Sequence, residues 1–463
     1  MSAAHAGGGD PMSSVETREL LAEVQALIRE REEEGVRGLA ERIGPPEWAD
    51  LVPQLEPREV AVLLQWLPDE EIPALLEELS PYEAARILRS LAQPEAAELL
   101  EEMDPDDAAD VLEELPDATA DEILIRMSPE DAAEIRSLAA YEPDSAGGLM
   151  TPDFVAVPAG ATAAQAIAAI RQLADEAETA NYVYVLDTER RLLGVLSSYR
   201  LLLSPPETPV AELMAPDTVR VRASADQEAA ARLLTDRNLL AIPVVDDGDR
   251  LLGIITEDDV ADVLQAEATE DIERLGGSQP LNIPYRLASV PLLFSRRVPW
   301  LLGLAVLSAA YTGLVLQSFQ AELAEVVALS FFIPLLIGTG GNIGSQTVTL
   351  IVRAMALNEV AMRDIWWVVF KELRVSLILG AVMAAAAFVW AFVLGVGPTV
   401  GIVVALTVVA ICATAATVAA ALPLVLRRLR IDPAVVSAPL ITTLVDGTGL
   451  IIYFEIARYA LGL

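Results

Sequence analysis

Residues 435–461 read VVSAPLITTLVDGTGLIIYFEIARYAL, and Asp446 near the middle has no basic residue within ten positions. A helix needs about 20 mostly apolar residues to cross roughly 30 Å of hydrocarbon, and this run is long enough. Four more such runs precede it, at about 298–316, 326–351, 375–396 and 400–426. The expectation is an α-helical membrane domain over 298–463, with five transmembrane helices per subunit and the bilayer as its solvent.

The loops between the runs sort by charge. Arg286, Arg296 and Arg297 precede the first run, and Arg353, Arg363, Lys371 and Arg374 follow the second. Arg427, Arg428 and Arg430 follow the fourth, whereas the alternate loops hold only Glu322 and Glu325, or no charge at all in GVGPT, 395–399. Basic flanks stay on the cytoplasmic side of a cell membrane. That places everything before residue 298 in the cytoplasm and the C-terminus on the extracellular side. Five spans leave little room for a pore inside one chain, so a symmetric homodimer with a path on or near its two-fold axis is expected.

An ionisable side chain inside a span is a functional candidate by default, and Asp446 fits that description. Thr442, Thr443 and Thr448 surround it with hydroxyls, while Gly447 and Gly449 let backbones approach. Oxygen-only ligation suits a hard divalent cation such as Mg²⁺. In a dimer, two copies of Asp446 make a ring of negative charge of the kind cation pores use. The competing reading is a packing Asp bonded to a neighbouring Thr. Glu455 has Arg458 three residues on and reads as an ion pair. The second candidate is GTGGNIGSQ, 338–346, with Asn342 among its polar residues. Either it is irregular backbone lining a water-filled path, or its glycines serve tight helix packing. Pro334, Pro423 and Pro439 are expected to kink the helices around it.

The rest of the chain has opposite character. The formal net charge is −37 although 53% of the residues are hydrophobic, because acid and grease sit in different halves. Residues 1–284 hold 20 Arg against 60 Asp and Glu, and residues 285–463 hold 11 basic against 8 acidic side chains. So acidic a half argues against nucleic acid or anionic lipid as its partner and favours cations. One cysteine, Cys412, and one histidine, His5, exclude disulfides, Cys zinc sites, HExxH peptidases and Ser-His-Asp triads. The chain reads as no enzyme, and its start (MSAAHAGGGDP) shows no cleavable signal peptide.

Two repeats organise the acidic half. Leu55, Leu67, Leu79, Leu91, Met103, Leu115 and Met127 recur every 12 residues, each followed closely by a proline. Ser80-Pro81, Asp104-Pro105 and Ser128-Pro129 read as caps with Pro at the first helical position. Helices this short need each other, so a small α-solenoid is expected over 20–142, after an unstructured tail at 1–19. Its outward acids are most simply solvating charge. From Met150, a β-α-β-β-α pattern occurs twice, with Met150-Thr151-Pro152 echoed by Met214-Ala215-Pro216 and LGVLS, 193–197, by LGIIT, 252–256. This resembles a tandem pair of CBS domains, an α/β regulatory module, over 143–258. The resemblance implies a nucleotide such as ATP or AMP with its ribose on Asp259, three residues after Thr256. Arg200 stands at the equivalent place in the first copy.

FFIPLLIGTGGNIGSQTVTLIVRA, LRIDPAVVSAPLITTLVDGTGLIIYF and YEPDSAGGLMTPDFV, taken with the domain order, resemble the MgtE family of magnesium channels from about residue 20 onward. The resemblance implies Mg²⁺ uptake through a homodimeric pore in which Asp446 selects the ion. It also implies cytosolic Mg²⁺ sites that hold the pore shut. These would use Asp226 and Glu228, then Asp259 and Asp262, then Glu267, Glu270 and Asp271 on a connecting "plug" helix within 259–297. Asp432 at the cytoplasmic mouth would share an ion with that helix. Among the helical-domain acids, Asp106, Asp107 and Asp110 are the candidates. The chain departs from some family members in Ala438, where they carry Asn, and in Thr442, where a smaller residue can stand. A broader divalent-cation transporter for Mn²⁺, Co²⁺ or Ca²⁺, or a Na⁺-coupled Mg²⁺ exchanger, is the alternative function.

Overall fold

The computed structural model describes residues 14–173, 177–357, 359–429 and 431–462. His5 and Arg430 lie outside them. The chain divides into two compact units, Met1–Gln265 and Ala266–Leu463.

The first unit opens with α1 (Ser14–Glu30), α2 (Glu33–Ala40) and α3 (Pro45–Leu51). Residues 14–19 are therefore helix, inside the stretch expected as a tail. The repeat follows as α4 (Pro57–Trp66), α5 (Ile72–Glu77), α6 (Pro81–Leu88), α7 (Gln93–Glu102), α8 (Pro105–Glu113), α9 (Asp117–Leu124) and α10 (Pro129–Leu138). A 3-10 turn at Asp69–Glu71 leads into α5, so segments begin at 57, 69, 81, 93, 105, 117 and 129, keeping the 12-residue period. The period is set by burial. Leu55, Leu67, Leu79, Met103, Leu115 and Met127 lie in one core, and Leu91 packs against it. Each such side chain contributes about 1.5–3 kcal/mol, enough to hold helices that are marginal alone. Caps sharpen the turns: the Asp131 N–H donates to Ser128 Oγ at 3.2 Å, and Ser80 Oγ donates to Glu83 at 2.7 Å.

Two three-stranded sheets come next. β1 (Ala156–Pro158), β2 (Tyr182–Leu186) and β3 (Leu192–Ser197) form one, flanked by α11 (Ala163–Gln172) and α12 (Ser198–Leu202). After α13 (Val210–Leu213), the second sheet joins β4 (Val221–Arg222), β5 (Ala241–Val245) and β6 (Leu251–Thr256), with α14 (Gln227–Arg237) between β4 and β5. In each sheet the first pair is parallel and the second antiparallel. The duplicated tripeptides have a structural use, because each binds the opposite copy. Thr151 exchanges backbone hydrogen bonds with Ile254 at 2.9 Å, and Ala215 does so with Val195. A Cβ on Gly253 would sit 2.6 Å from the Thr151 carbonyl, and one on Gly194 would sit 2.7 Å from the Ala215 carbonyl, which accounts for the glycine in LGVLS and LGIIT.

Helix α15 (Glu257–Leu275) runs across the division between the units. The second unit continues with α16 (Val290–Ser318), the short α17 (Gln320–Glu325), α18 (Ile333–Ala356), α19 (Ile365–Val393), α20 (Pro398–Arg428) and α21 (Ala438–Leu461). Five of its helical segments are long and apolar enough to cross a membrane: Val290–Ser318, Val327–Ala356, Met362–Val393, Pro398–Arg428 and Ala438–Leu461. Two start well before the apolar runs. Arg296, Arg297, Lys371 and Arg374 all lie within helix, because backbone hydrogen bonding continues where hydropathy stops. Trp366, Trp367 and Phe370 are exposed on the first turns of α19, and the Lys371 ammonium stands over the Trp367 ring. At the other end, Arg458 donates to Glu322 at 2.6 Å and to Glu455 at 3.2 Å, while Tyr453 donates to the Leu329 carbonyl.

Two expectations about the backbone are corrected. GTGGNIGSQ lies inside the continuous helix α18, so it is not irregular. Pro334 and Pro439 occupy the first turns of α18 and α21, where a missing N–H is harmless, and they open these helices instead of kinking them. Pro423 is inside α20, and Pro299 is a further interior proline in α16.

Candidate functional site

Asp446 projects from the middle of α21. A Cβ on Gly341 of α18 would stand 4.0 Å from Asp446 Oδ1 and 3.1 Å from the Thr442 methyl, so this glycine leaves room beside the carboxylate. A Cβ on Gly344 would stand 2.5 Å from Ile441, and one on Gly447 would collide with the Tyr311 ring of α16. The glycine-rich segment thus lets α18 and α21 close on each other around Asp446. That is the packing reading, and it also builds the site. Tyr311 Oη lies 3.0 Å from Thr448 Oγ1, fixing the turn after Asp446.

The threonines do not partner Asp446. Thr442 and Thr443 both donate to the Pro439 carbonyl, at 2.8 and 2.9 Å, and Thr448 donates to the Leu444 carbonyl at 2.8 Å. Asp446 Oδ1 is buried and has no hydrogen-bond partner among the described residues. A buried, unpaired carboxylate oxygen is costly, which is the expected condition of a group awaiting a cation or its water shell. Asn342 is exposed on α18, one residue beyond Gly341.

The second cluster is in the cytosolic unit. Glu77, Asp104 and Asp107 bring carboxylate oxygens within 4.8 Å of one another. The Asp104 N–H donates to Glu77 at 2.9 Å, and the Asp104 side chain makes no cap on α8. Asp106 Oδ1 is also buried without a partner among the described residues. Desolvation, reinforced by acidic neighbours, raises the carboxyls of Asp104, Asp106, Asp107, Asp110 and Glu178. Asp107 is pushed up to about 9, Glu178 to about 8 and Asp110 to about 7, with Asp106 well above its usual range. Desolvation is the largest cause in each case, and the repulsion includes Asp259 for all four. Asp104 is raised by desolvation and then by Asp258. The acids of α8 therefore face those of the β6–α15 junction across one charged seam. Hard oxygen donors held together against their repulsion fit a divalent cation.

Of the expected ligands, Asp106, Asp107, Asp110 and Asp259 share that seam, and Asp262 is raised by desolvation and Asp258. Asp259 Oδ2 accepts from Thr256 N at 3.1 Å and from Thr256 Oγ1 at 2.8 Å, so this oxygen is engaged by the residue just before α15. Asp226 is exposed and caps α14 through Ala229 N at 3.0 Å, and Glu228 pairs with Arg232. Glu267, Glu270, Asp271 and Asp432 belong to the second unit, where Arg274 pairs with both Glu270 and Asp432. Glu77, Asp104, Glu178 and Asp258 were not anticipated. Asp104 read only as a cap, and the others carry no local signal.

The five apolar spans and the helical and two-sheet N-terminal part fit the class of membrane transporters with N-terminal cytosolic domains. Family models agree: residues 333–456 match the divalent cation transporter MgtE, residues 43–144 the MgtE intracellular N domain, and residues 146–206 and 210–266 the CBS domain. The chain is 46% identical to the magnesium transporter MgtE of Thermus thermophilus over 71% of its length and 72% of the relative's. It is 35% identical to that of Bacillus subtilis over 70% of this chain and 71% of that one. The cytosolic half is similar to the cytosolic domain of the Mg²⁺ channel MgtE in complex with ATP, with a TM-score of 0.51 at 40% identity over 52% of this chain and 99% of that one. The chain belongs to the MgtE family of magnesium transporters.

Proposed function

We propose that the chain is a homodimeric Mg²⁺ channel for uptake, with Asp446 of each copy facing the path near the two-fold axis. The observation that carries this reading is the half-buried Asp446 carboxylate, whose Oδ1 is buried and meets no donor among the described residues, with Gly341 beside it. An ion that keeps part of its water shell needs only one or two such carboxylates. Membrane potential suffices as driving force: about 2.3 kcal/mol per charge per 100 mV, hence about 4.6 for a divalent ion. The cytosolic acids then form the sensor. At low Mg²⁺ their repulsion opens the seam between α8 and the β6–α15 junction, and at high Mg²⁺ bridging closes it and the pore. ATP binds the CBS pair at Asp259 as a modulator, and the C-terminus lies outside the cell.

The test is ion flux into proteoliposomes for wild type and Asp446→Asn, with Mg²⁺, Ca²⁺, Mn²⁺ and Co²⁺ in competition. Loss of Mg²⁺ flux in the variant is expected, and undiminished flux would overturn the assignment of Asp446. Equal competition by all four ions would favour the broader divalent transporter. Dependence on a Na⁺ gradient would favour an exchanger. For the sensor, neutralising Asp107, Asp110 and Asp259 together should leave the pore open at high Mg²⁺.

A further inference from the structure

The acids expected to share an ion at the cytoplasmic mouth do not face an open position. Glu270 lies one turn before Arg274 on α15, while Asp432 lies 158 residues beyond it, just before α21. The Arg274 guanidinium pairs with both, through Nη2 to Glu270 and Nη1 to Asp432 Oδ2. The other Asp432 oxygen, Oδ1, accepts the Ala434 N–H at 2.8 Å and caps the short turn Pro433–Val435. Both oxygens of the carboxylate therefore already meet donors.

The end of α15 is seated in the same place by contacts that involve no acid at Asp432. Gly277 follows the helix at φ +76°, and a Cβ there would press on Trp300 at 2.8 Å and on Pro439 at 3.3 Å. Trp300 Nε1 donates to Ser437 Oγ at 3.1 Å, and the Leu281 N–H donates to Glu273 at 2.9 Å. Leu275 packs on the membrane-unit core. An arginine is always charged and presents a planar fork suited to two carboxylates, so it fills the role of a fixed cation. A dication brought to the same carboxylates meets its repulsion.

We propose that Arg274 is the resident cation of the Glu270–Asp432 pair, and that this guanidinium and a divalent cation exclude one another there. The connecting helix is then fastened beside the base of α21 by the chain itself, and Asp432 drops out of the set of ion ligands. This inference does not rest on the sensor reading, which uses the acids of the first unit.

The experiment counts Mn²⁺ bound to the full chain in detergent by paramagnetic titration, for wild type, Asp432→Asn, Arg274→Gln and the double variant. Asp432→Asn should bind as many ions as wild type. Arg274→Gln should bind one more per chain, and the double variant should return to the wild-type number. Loss of one ion in Asp432→Asn would overturn the proposal, as would an unchanged count in Arg274→Gln. Asp432→Asn removes no buried apolar contact, so it decides the question even where Arg274→Gln does not fold.

Discussion

A single methyl group tests the packing around Asp446. Gly447→Ala places a Cβ against the Tyr311 ring, and overpacking of this kind typically costs about 1–3 kcal/mol. We expect a lower melting temperature in detergent and reduced Mg²⁺ flux, because α16 and α21 must separate where the carboxylate sits. Tyr311→Phe keeps the ring and removes only the contact with Thr448 Oγ1, so it should melt close to wild type. Asp446 stands out as a candidate in the sequence because an ionisable residue inside an apolar run is rare. Its surroundings were only half legible. The glycines of 338–346 suggested unwound backbone, since glycine is a poor helix former, but close packing against Ile441 and Val445 keeps α18 helical.

At the scale of the element, the 12-residue units make cap and core separable. Ser128→Ala removes the acceptor for Asp131 N at the start of α10 and should cost about 1 kcal/mol. Faster amide exchange confined to residues 129–138 is the expected readout. Leu115→Ala instead opens a cavity in the common core and should cost about 2–5 kcal/mol, lowering the melting temperature of the cytosolic part. The solenoid, the CBS pair and the five spans were all readable, since each is announced by a period or by unbroken hydropathy. What did not read out were meetings between elements. Glu77 joins Asp104 across 27 residues, and Arg274 joins Asp432 across 158, and no local pattern records either.

At the scale of the whole molecule, pH and Mg²⁺ should act on the same carboxylates. Asp107, Asp110 and Glu178 have folded pKa values of about 9, 7 and 8, above their ordinary values of 3.8, 3.8 and 4.5. Between those limits the folded protein holds more protons than the unfolded chain, so its stability falls as pH rises through that window. In EDTA, the melting temperature of the cytosolic transition should be lower at pH 9 than at pH 6. Saturating Mg²⁺ should flatten that slope and stabilise more at the higher pH, with protons released on binding. A slope of opposite sign, measured calorimetrically, would show that the seam does not form.

The ammonium that stands over Trp367 belongs to the only lysine in the chain, Lys371. Apart from His5, every basic side chain before residue 285 is therefore an arginine, and no arginine loses its charge at physiological pH. The cytosolic half offers no side-chain amine for acetylation, carbamylation or ubiquitin-like conjugation. Its arginine charge is a constant in the cell, so protons and metal ions shift the balance there through the carboxylates.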